Sequence, residues 1–298
     1  MHERKIQSKS PLIANVDIVD LYQYSSNKES LKSFAEKISD GTYKIIDHDC
    51  PICGNHSNWL SVAKTHEGFC WSICKECGLF QINKRFRHAD LNAFYSSGEY
   101  HKLCMGDLDN EKHFDLYLRI AETGILADLK LLGISVSGIK LLDIGCGPGA
   151  TLLAIKNAGA DVAGYDMDPE RIAFGKKYIY EIEYGDAFDF NRNFDEFDLI
   201  LINGVLEHLH DPMEFLYRLS EKISNHDVLL LIHVPNLTYA NDYSAISFTK
   251  FMHIGHIWYF TPASLERALN HAGFVIKTIV PRGPNMGVLC SKHTGGGY

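Results

Sequence analysis

The sequence lacks a long apolar run. No stretch of the 298 residues approaches the roughly 20 consecutive apolar residues that a membrane-spanning helix needs. The segment from Met1 to Asp17 also lacks the apolar core of a secretory signal. We therefore expect a cytoplasmic protein with no membrane partner.

Positive charge is also scarce. The chain has 29 Lys and Arg residues against 37 Asp and Glu residues, a formal net charge of −8. Such a field repels phosphate backbones, so bulk nucleic-acid binding is disfavoured. The short basic and aromatic cluster at residues 85–88 is too small to supply RNA affinity alone. With 46% hydrophobic residues, the chain is predicted to fold as a medium-sized domain with a small satellite.

Cysteine, in contrast, is concentrated in one segment. Five of the eight cysteines lie between residues 50 and 77, which favours a metal site over a disulfide framework. Two Cys-x-x-Cys-Gly turns, separated by twenty residues, predict a structural zinc ion held by four thiolates: Cys50, Cys53, Cys74 and Cys77. The alternatives are unligated thiols, a redox pair, or Cys70 in place of Cys74.

From Ile139 onward, apolar strands alternate with helices. This pattern predicts an α/β fold, a Rossmann-like doubly wound and mostly parallel sheet, closed by a hairpin over residues 274–291. A helical pattern over Glu111–Leu132 precedes it. The predicted organisation is an arm (1–45), a zinc-binding module (46–90), a helical linker that caps the cofactor (91–135) and the α/β domain (136–298).

A glycine-rich turn follows the first predicted strand of this domain. Residues 140–149 run from an apolar strand into Gly-x-Gly-x-Gly, where the bare backbone lets a ligand approach a helix N-terminus. Such a turn also marks dinucleotide sites. Asp166 ends the next strand and is suited to bind ribose hydroxyls. Gly185-Asp186-Ala187 and the segment 197–208 then follow in order.

Together these motifs resemble the class I S-adenosylmethionine (SAM) methyltransferases over about residues 138–292. The N-terminal region is similar to that of bacterial methyltransferases with a zinc-binding region, many of which modify sugars or surface glycans. The resemblance implies SAM as cofactor, with glycines against its amino-acid part, Asp166 on the ribose, and Met167 and Asp186 at the adenine. The implied cofactor-binding residues are Tyr100, Asp143, Gly145, Gly147, Gly149, Asp166, Met167, Asp186, Ala187 and Asn203.

The segment 255–261 resembles the Glu-His-x-x-Tyr-Phe-Ser segment of zinc-bearing sugar C-methyltransferases, whose histidine is the base. The resemblance implies catalytic roles for His256 and Tyr259, with His253 as second choice for the base. Gly255 replaces the acid of that pattern, so an oxygen or nitrogen acceptor stays as open as carbon. A purely structural role for His256 and Tyr259, orienting the loop before the next helix, is the alternative.

Glu207 and His208 resemble the acid and histidine pair of quinone O-methyltransferases, some of which recruit a divalent cation there. Gly204 replaces the additional acid of that metal motif, which argues against a catalytic metal. Glu207 and His208 are predicted either to line the acceptor pocket or to start a helix. Asn236 is a candidate substrate contact or a strand-end turn residue.

The sequence thus predicts a SAM-dependent methyltransferase for a small polar acceptor such as a sugar, nucleotide-sugar or glycan precursor. One alternative is an RNA methyltransferase whose zinc module binds RNA. The other is a non-catalytic protein that uses the cofactor pocket as a sensor or the zinc module as a docking surface.

Overall fold

The computed structural model describes residues 28–65, 67–100, 103, 110–238, 254–282 and 285–293. Most of the predicted N-terminal arm lies outside these ranges, and so does His253, the second choice for the base. No helix within them is long and apolar enough to cross a membrane.

The N-terminal part of the described chain is a small antiparallel sheet with helices beside it. Helix α1 precedes the strands, which pair in the order β1-β4-β3-β2, and helix α2 follows them. The bounds are α1 (Lys28–Ser39), β1 (Ile45–Asp47), β2 (Trp59–Lys64), β3 (Cys70–Cys74), β4 (Phe80–Phe86) and α2 (His88–Ser96).

Aromatic rings hold this part together. Phe34 on α1 lies with its ring centroid 6.2 Å from Phe69, 5.7 Å from Phe86 and 5.5 Å from Phe94. All four rings are buried, and pairs at these spacings stabilise beyond their buried area. Helix α1 is therefore a packing helix.

A long helical segment joins the two parts. It consists of α3 (Asn110–Ile120), a π-helical turn (Ala121–Ile125) and α4 (Leu126–Leu131). The apolar positions that predicted a helix here, among them Phe114, Ile125 and Leu129, are buried. The prediction over Glu111–Leu132 is thereby confirmed, apart from the π-helical turn inside it.

The large domain contains a seven-stranded sheet. Its elements are β5 (Lys140–Ile144), α5 (Ala150–Asn157), β6 (Asp161–Asp166), α6 (Pro169–Gly175), β7 (Ile182–Tyr184), β8 (Leu199–Asn203), α7 (Pro212–Lys222), β9 (Leu229–Pro235), α8 (Pro262–His271), β11 (Phe274–Arg282) and β12 (Asn285–Lys292). The strand order is β11-β12-β9-β8-β5-β6-β7, with β12 antiparallel to both its neighbours. The Rossmann-like, mostly parallel sheet and its terminal hairpin are confirmed.

Both faces of this sheet are covered. In β8, Leu199 and Leu201 join one buried cluster with residues of α4 and α5, whereas Ile200 and Ile202 join a second cluster with residues of α7 and α8. Because successive side chains of a strand point to opposite faces, a strand covered on both sides is apolar throughout. This explains the unbroken apolar run of β8.

One short strand from the C-terminal half of the chain pairs with the N-terminal sheet. Strand β10 (Trp258–Tyr259) belongs to the large domain in sequence, but it pairs with β4, placing Trp258 opposite Gln81 and Tyr259 opposite Phe80. Ile82 also donates its backbone N–H to the Ile257 carbonyl at 2.9 Å. The segment that carries His256 is therefore attached to the N-terminal sheet.

Candidate active site and cysteine cluster

A cavity of about 780 Å³ opens at the carboxyl edge of the parallel strands. Four of these strands contribute a side chain to its wall from at or near their ends: Asp143 from β5, Asp166 from β6, Asn203 from β8 and His233 from β9. Ligands bind at this edge in open α/β sheets because side chains from several strands converge there.

The glycine-rich turn forms part of the cavity wall, and its backbone conformation and close packing both require glycine. Gly145, Gly147 and Gly149 have φ of 75°, 54° and 81°, which favours glycine. A Cβ on Gly145 would lie 2.4 Å from a methyl carbon of Val205, and one on Gly147 would lie 2.9 Å from the Arg171 guanidinium. All three line the cavity or adjoin its lining residues.

Asp166, the last residue of β6, forms a hydrogen bond with this turn. Its Oδ2 accepts the Gly147 backbone N–H at 2.8 Å, and its Oδ1 accepts that of Asp168 at 2.9 Å. Burial raises the pKa of Asp166. Burial also raises the pKa of Asp143, to which the Asp166 charge adds, and Asp143 Oδ1 has no hydrogen-bond partner among the described residues. A cationic group bound here would offset the repulsion between the two carboxylates.

The other residues predicted to bind the cofactor line the same cavity. They come from separate segments of the chain, yet the fold brings them together: Tyr100, Met167, Asp186, Ala187 and Asn203. Asp186 Oδ1 accepts the Phe188 backbone N–H at 2.8 Å, so this acid also shapes its own turn. Their individual contacts to a cofactor stay predictions.

His208 fixes the backbone beside His256. His208 Nδ1 donates to the Gly255 carbonyl at 2.6 Å, and the Tyr95 hydroxyl donates to the same carbonyl at 2.7 Å. The Tyr100 hydroxyl lies 3.4 Å from His208 Nε2. Burial lowers the pKa of His208 to about 4, so its ring is neutral at pH 7. His208 therefore positions the loop rather than accepting a proton.

Glu207, His208 and His256 form a cluster on the cavity wall. A carboxylate oxygen and one nitrogen of each ring all lie within 4.8 Å of one another, and the two rings have centroids 4.8 Å apart. Burial raises the pKa of Glu207 to about 8, and its Oε2 has no hydrogen-bond partner in the described part of the chain. These three side chains are of types that bind divalent cations. The glycine at position 204 does not exclude a cation site, because His256, from a distant segment, supplies a third side chain.

Among the described residues, Tyr259 and Asn236 were predicted to act at the acceptor but do not line the cavity. Tyr259 is 0% exposed and packs on Phe80 with centroids 5.4 Å apart. Asn236 Oδ1 accepts the backbone N–H and the hydroxyl of Thr238 at 3.1 and 2.6 Å, which is the contact pattern of a strand-end turn residue. His253 lies outside the described residues.

Sequence reasoning missed a second polar cluster on the wall. The buried Asp128 of α4 bonds His233 Nε2 at 3.0 Å and Arg282 Nε at 2.5 Å, and all three residues line the cavity. The three belong to α4, β9 and β11, so no local motif could have brought them together.

The four predicted zinc ligands converge in the N-terminal part of the described chain. Their sulfur atoms all lie within 4.8 Å of one another, with Cys50 Sγ 3.4 Å from Cys77 Sγ and Cys53 Sγ 3.5 Å from Cys74 Sγ. Gly54 and Gly78 close the turns with φ of 67° and 75°, each donating its N–H to the first cysteine of its pair at 2.8 Å.

Cys70 is not part of this cysteine cluster. Its sulfur lies 3.8 Å from the Ser61 hydroxyl and 3.6 Å from that of Ser72. The alternative in which Cys70 replaces Cys74 as a ligand is therefore wrong. Two turns with four sulfurs around one point suit a tetrahedral ion with thiolate ligands.

Comparisons with known proteins agree on the large domain. A family model described as "Methyltransferase domain" matches residues 117–279. The ubiquinone biosynthesis O-methyltransferase of Azorhizobium caulinodans is 30% identical over 152 residues, covering 47% of this chain and 60% of that protein. The mitochondrial ubiquinone biosynthesis O-methyltransferase of Schizosaccharomyces pombe is 33% identical over 103 residues, covering 32% and 38%. The chain thus spans less than two thirds of these relatives.

Solved structures share the fold. The magnesium protoporphyrin IX methyltransferase of Synechocystis PCC 6803 with bound SAH aligns with a TM-score of 0.50 and 14% identity, covering 69% of this chain and 100% of that one. At this identity the likeness shows the fold alone. The family match is the stronger finding. Because it spans more than half of the 298 residues, the chain belongs to the methyltransferase-domain family.

Proposed function

We propose that this protein is a SAM-dependent O-methyltransferase that acts on a hydroxyl group of a small molecule. The carrying observation is the cavity, in which the glycine-rich turn, Asp166 and Asp186 lie on the same wall as Glu207 and His256. When bound, SAM supplies a methyl group on a sulfonium ion. The chain's own residues then have to align the acceptor and remove its proton.

The residues present fit this cofactor. Burial and the nearby Asp166 charge both raise the pKa of Asp143, so a ligand with a cationic group is favoured beside these two acids. Asp166 keeps lone pairs for ribose hydroxyls, since each of its oxygens accepts one backbone bond. Gly145 and Gly147 line the cavity, and the close packing of Val205 and Arg171 against them leaves no room for a Cβ at either position.

An oxygen acceptor is favoured by the names of the relatives, which are O-methyltransferases of ubiquinone biosynthesis. They give no support to the sugar or glycan acceptor expected from the sequence. The cavity also carries apolar and aromatic side chains, including Leu91, Tyr117 and Phe188. A hydroxylated ring compound suits this mixture better than a sugar, whose surface is polar.

His256 is our candidate for the base that removes the acceptor proton. The Gly255 carbonyl before it is held by His208 and Tyr95, so the backbone that presents the ring is fixed. The same ring, with Glu207 and His208, could instead hold a divalent cation. In that case the acceptor oxygen would be activated by charge rather than by a histidine.

The cysteine cluster is proposed to bind a structural zinc ion. Four thiolates complete a tetrahedral shell and leave no position for a reacting water. The Asn55 side chain donates to Cys74 Sγ at 3.4 Å, the kind of hydrogen bond that orients a metal ligand. The ion would stabilise the sheet to which β10 is attached.

Calorimetric binding of SAH to the purified protein tests the cofactor site. Asp166→Ala is expected to weaken SAH by about 2 kcal/mol, roughly thirtyfold, because it removes charged hydrogen bonds to the ribose. Asp161→Ala is the matched control, since this exposed acid starts the same strand at its opposite end. Absence of SAH binding to the folded wild-type protein would refute the proposed function.

A further inference from the structure

The second polar cluster, formed by Asp128, His233 and Arg282, presents a guanidinium to the cavity. Arg282 donates from Nε to Asp128 Oδ1 at 2.5 Å and from Nη2 to the Gly124 carbonyl at 2.6 Å. Its Nη1, with two N–H groups, has no hydrogen-bond partner among the described residues. The side chain is 32% exposed and lines the cavity.

The anchoring of Arg282 is stronger than that of a surface ion pair. Asp128 is 0% exposed, and its other oxygen is taken by His233 Nε2 at 3.0 Å. Burial alone would raise the pKa of Asp128, but hydrogen bonds from His233 and Arg282 lower it below its usual value. Asp128 is therefore ionised and holds the planar guanidinium of Arg282 in one orientation. The Nη1 group takes no part in this contact and can bind a ligand.

The charges of the cavity wall explain why the Nη1 group of Arg282 is suited to bind an anion. Among the described residues, six with carboxyl groups line the wall: Asp128, Asp143, Asp166, Asp168, Asp186 and Glu207. An anionic ligand group would be repelled by most of this surface. Two arginines line it as well, and one of them, Arg171, already lies against Gly147 near the Asp166 carboxylate. Arg282 is the remaining arginine that can receive an anion.

We propose that Arg282 binds a carboxylate of a ligand in this cavity through Nη1, with Asp128 and the Gly124 carbonyl as its anchors. The inference rests on the proposed function, which supplies two sources for the same chemistry. One is the carboxylate in the amino-acid part of SAM, and the other is a carboxylate on the acceptor. A guanidinium fork that is already oriented loses little freedom when it binds a carboxylate.

Binding of matched ligands to Arg282→Met distinguishes the two sources. The first pair is SAH and 5′-methylthioadenosine, which lacks the amino-acid carboxylate. The second pair is 4-hydroxybenzoate and 4-hydroxybenzamide, titrated into SAH-loaded protein. We expect the variant to weaken the carboxylate member of one pair about tenfold and to leave its partner unchanged.

Two further variants separate recognition from folding. Lys277→Met removes an exposed cation from the same strand and is expected to leave all four affinities unchanged. Arg282→Lys keeps a charge for Asp128 but loses the fork, so it should recover the melting temperature and only part of the carboxylate preference. A lower melting temperature of Arg282→Met with both affinity ratios as in the wild type would overturn the proposal. Wild-type protein that binds no SAH would instead refute the proposed function.

Discussion

His256→Ala is expected to lower kcat about a thousandfold while the dissociation constant of SAH stays the same. A positioned base contributes about 10²–10⁴-fold to a proton transfer, and His256 lies on the cavity wall with its backbone fixed by His208 and Tyr95. The rate of SAH formation is measured with the best acceptor found among hydroxylated aromatic compounds and nucleotide sugars, and SAH affinity is measured by calorimetry.

His271→Ala is the matched control for this change, because His271 is an exposed histidine in the last turn of α8. Its kcat should equal that of the wild type. A His256→Ala enzyme with unchanged turnover would remove His256 from the chemistry. A defect in SAH binding instead of kcat would make it a cofactor-binding residue.

The response to divalent cations separates the two roles that the geometry permits. If His256 is the base, dialysis against a chelator that spares the cysteine cluster leaves the rate unchanged. If Glu207, His208 and His256 hold a cation, the same dialysis abolishes the rate and added Mg²⁺ or Zn²⁺ restores it. The second result would reassign all three residues to metal binding.

The large domain was predictable because its signals are local. Strand β8 is apolar throughout since both faces are covered, and α6, α7 and α8 each begin with Asp-Pro or Thr-Pro, which caps a helix and fits its first turn. The glycine-rich turn and Asp166 lie close in sequence and line the same cavity. Predictions based on such short-range patterns agreed with the structure to within a few residues.

The parts that sequence could not predict depend on distant contacts. The hydrogen bond from Tyr95 to Gly255 joins residues 160 apart, and that from Arg282 to Asp128 joins residues 154 apart. Gly255 looked like the loss of an acid, but its carbonyl holds the loop, and no side chain is needed for that. Tyr259 resembled a catalytic residue because of its spacing from His256, whereas its pairing with Phe80 of β4 buries it in the N-terminal sheet.

Cys74→Ser is expected to abolish stoichiometric zinc binding and to lower the free energy of unfolding by about 4 kcal/mol, or roughly 10 °C in Tm. Cys74 is 0% exposed, and its sulfur lies with three others within 4.8 Å. Without the zinc ion, a buried serine hydroxyl and three cysteine thiols would have no metal to bind. Metal content is measured by mass spectrometry and stability by calorimetry. Cys70→Ser, on the same strand but outside the cluster, should retain both.

Loss of zinc should also affect the cavity wall that carries Glu207 and His256. Strand β4 follows Cys77 directly and pairs with β10, and Ile257 donates its N–H to the Glu207 carbonyl at 2.8 Å. If the ion stabilises the N-terminal sheet, Cys74→Ser should increase hydrogen exchange of residues 254–259 and lower kcat, while exchange in β5 and β6 stays slow. Slow exchange at 254–259 in zinc-free protein would mean that the large domain holds this segment by itself, and that the cysteine cluster does not support the active site.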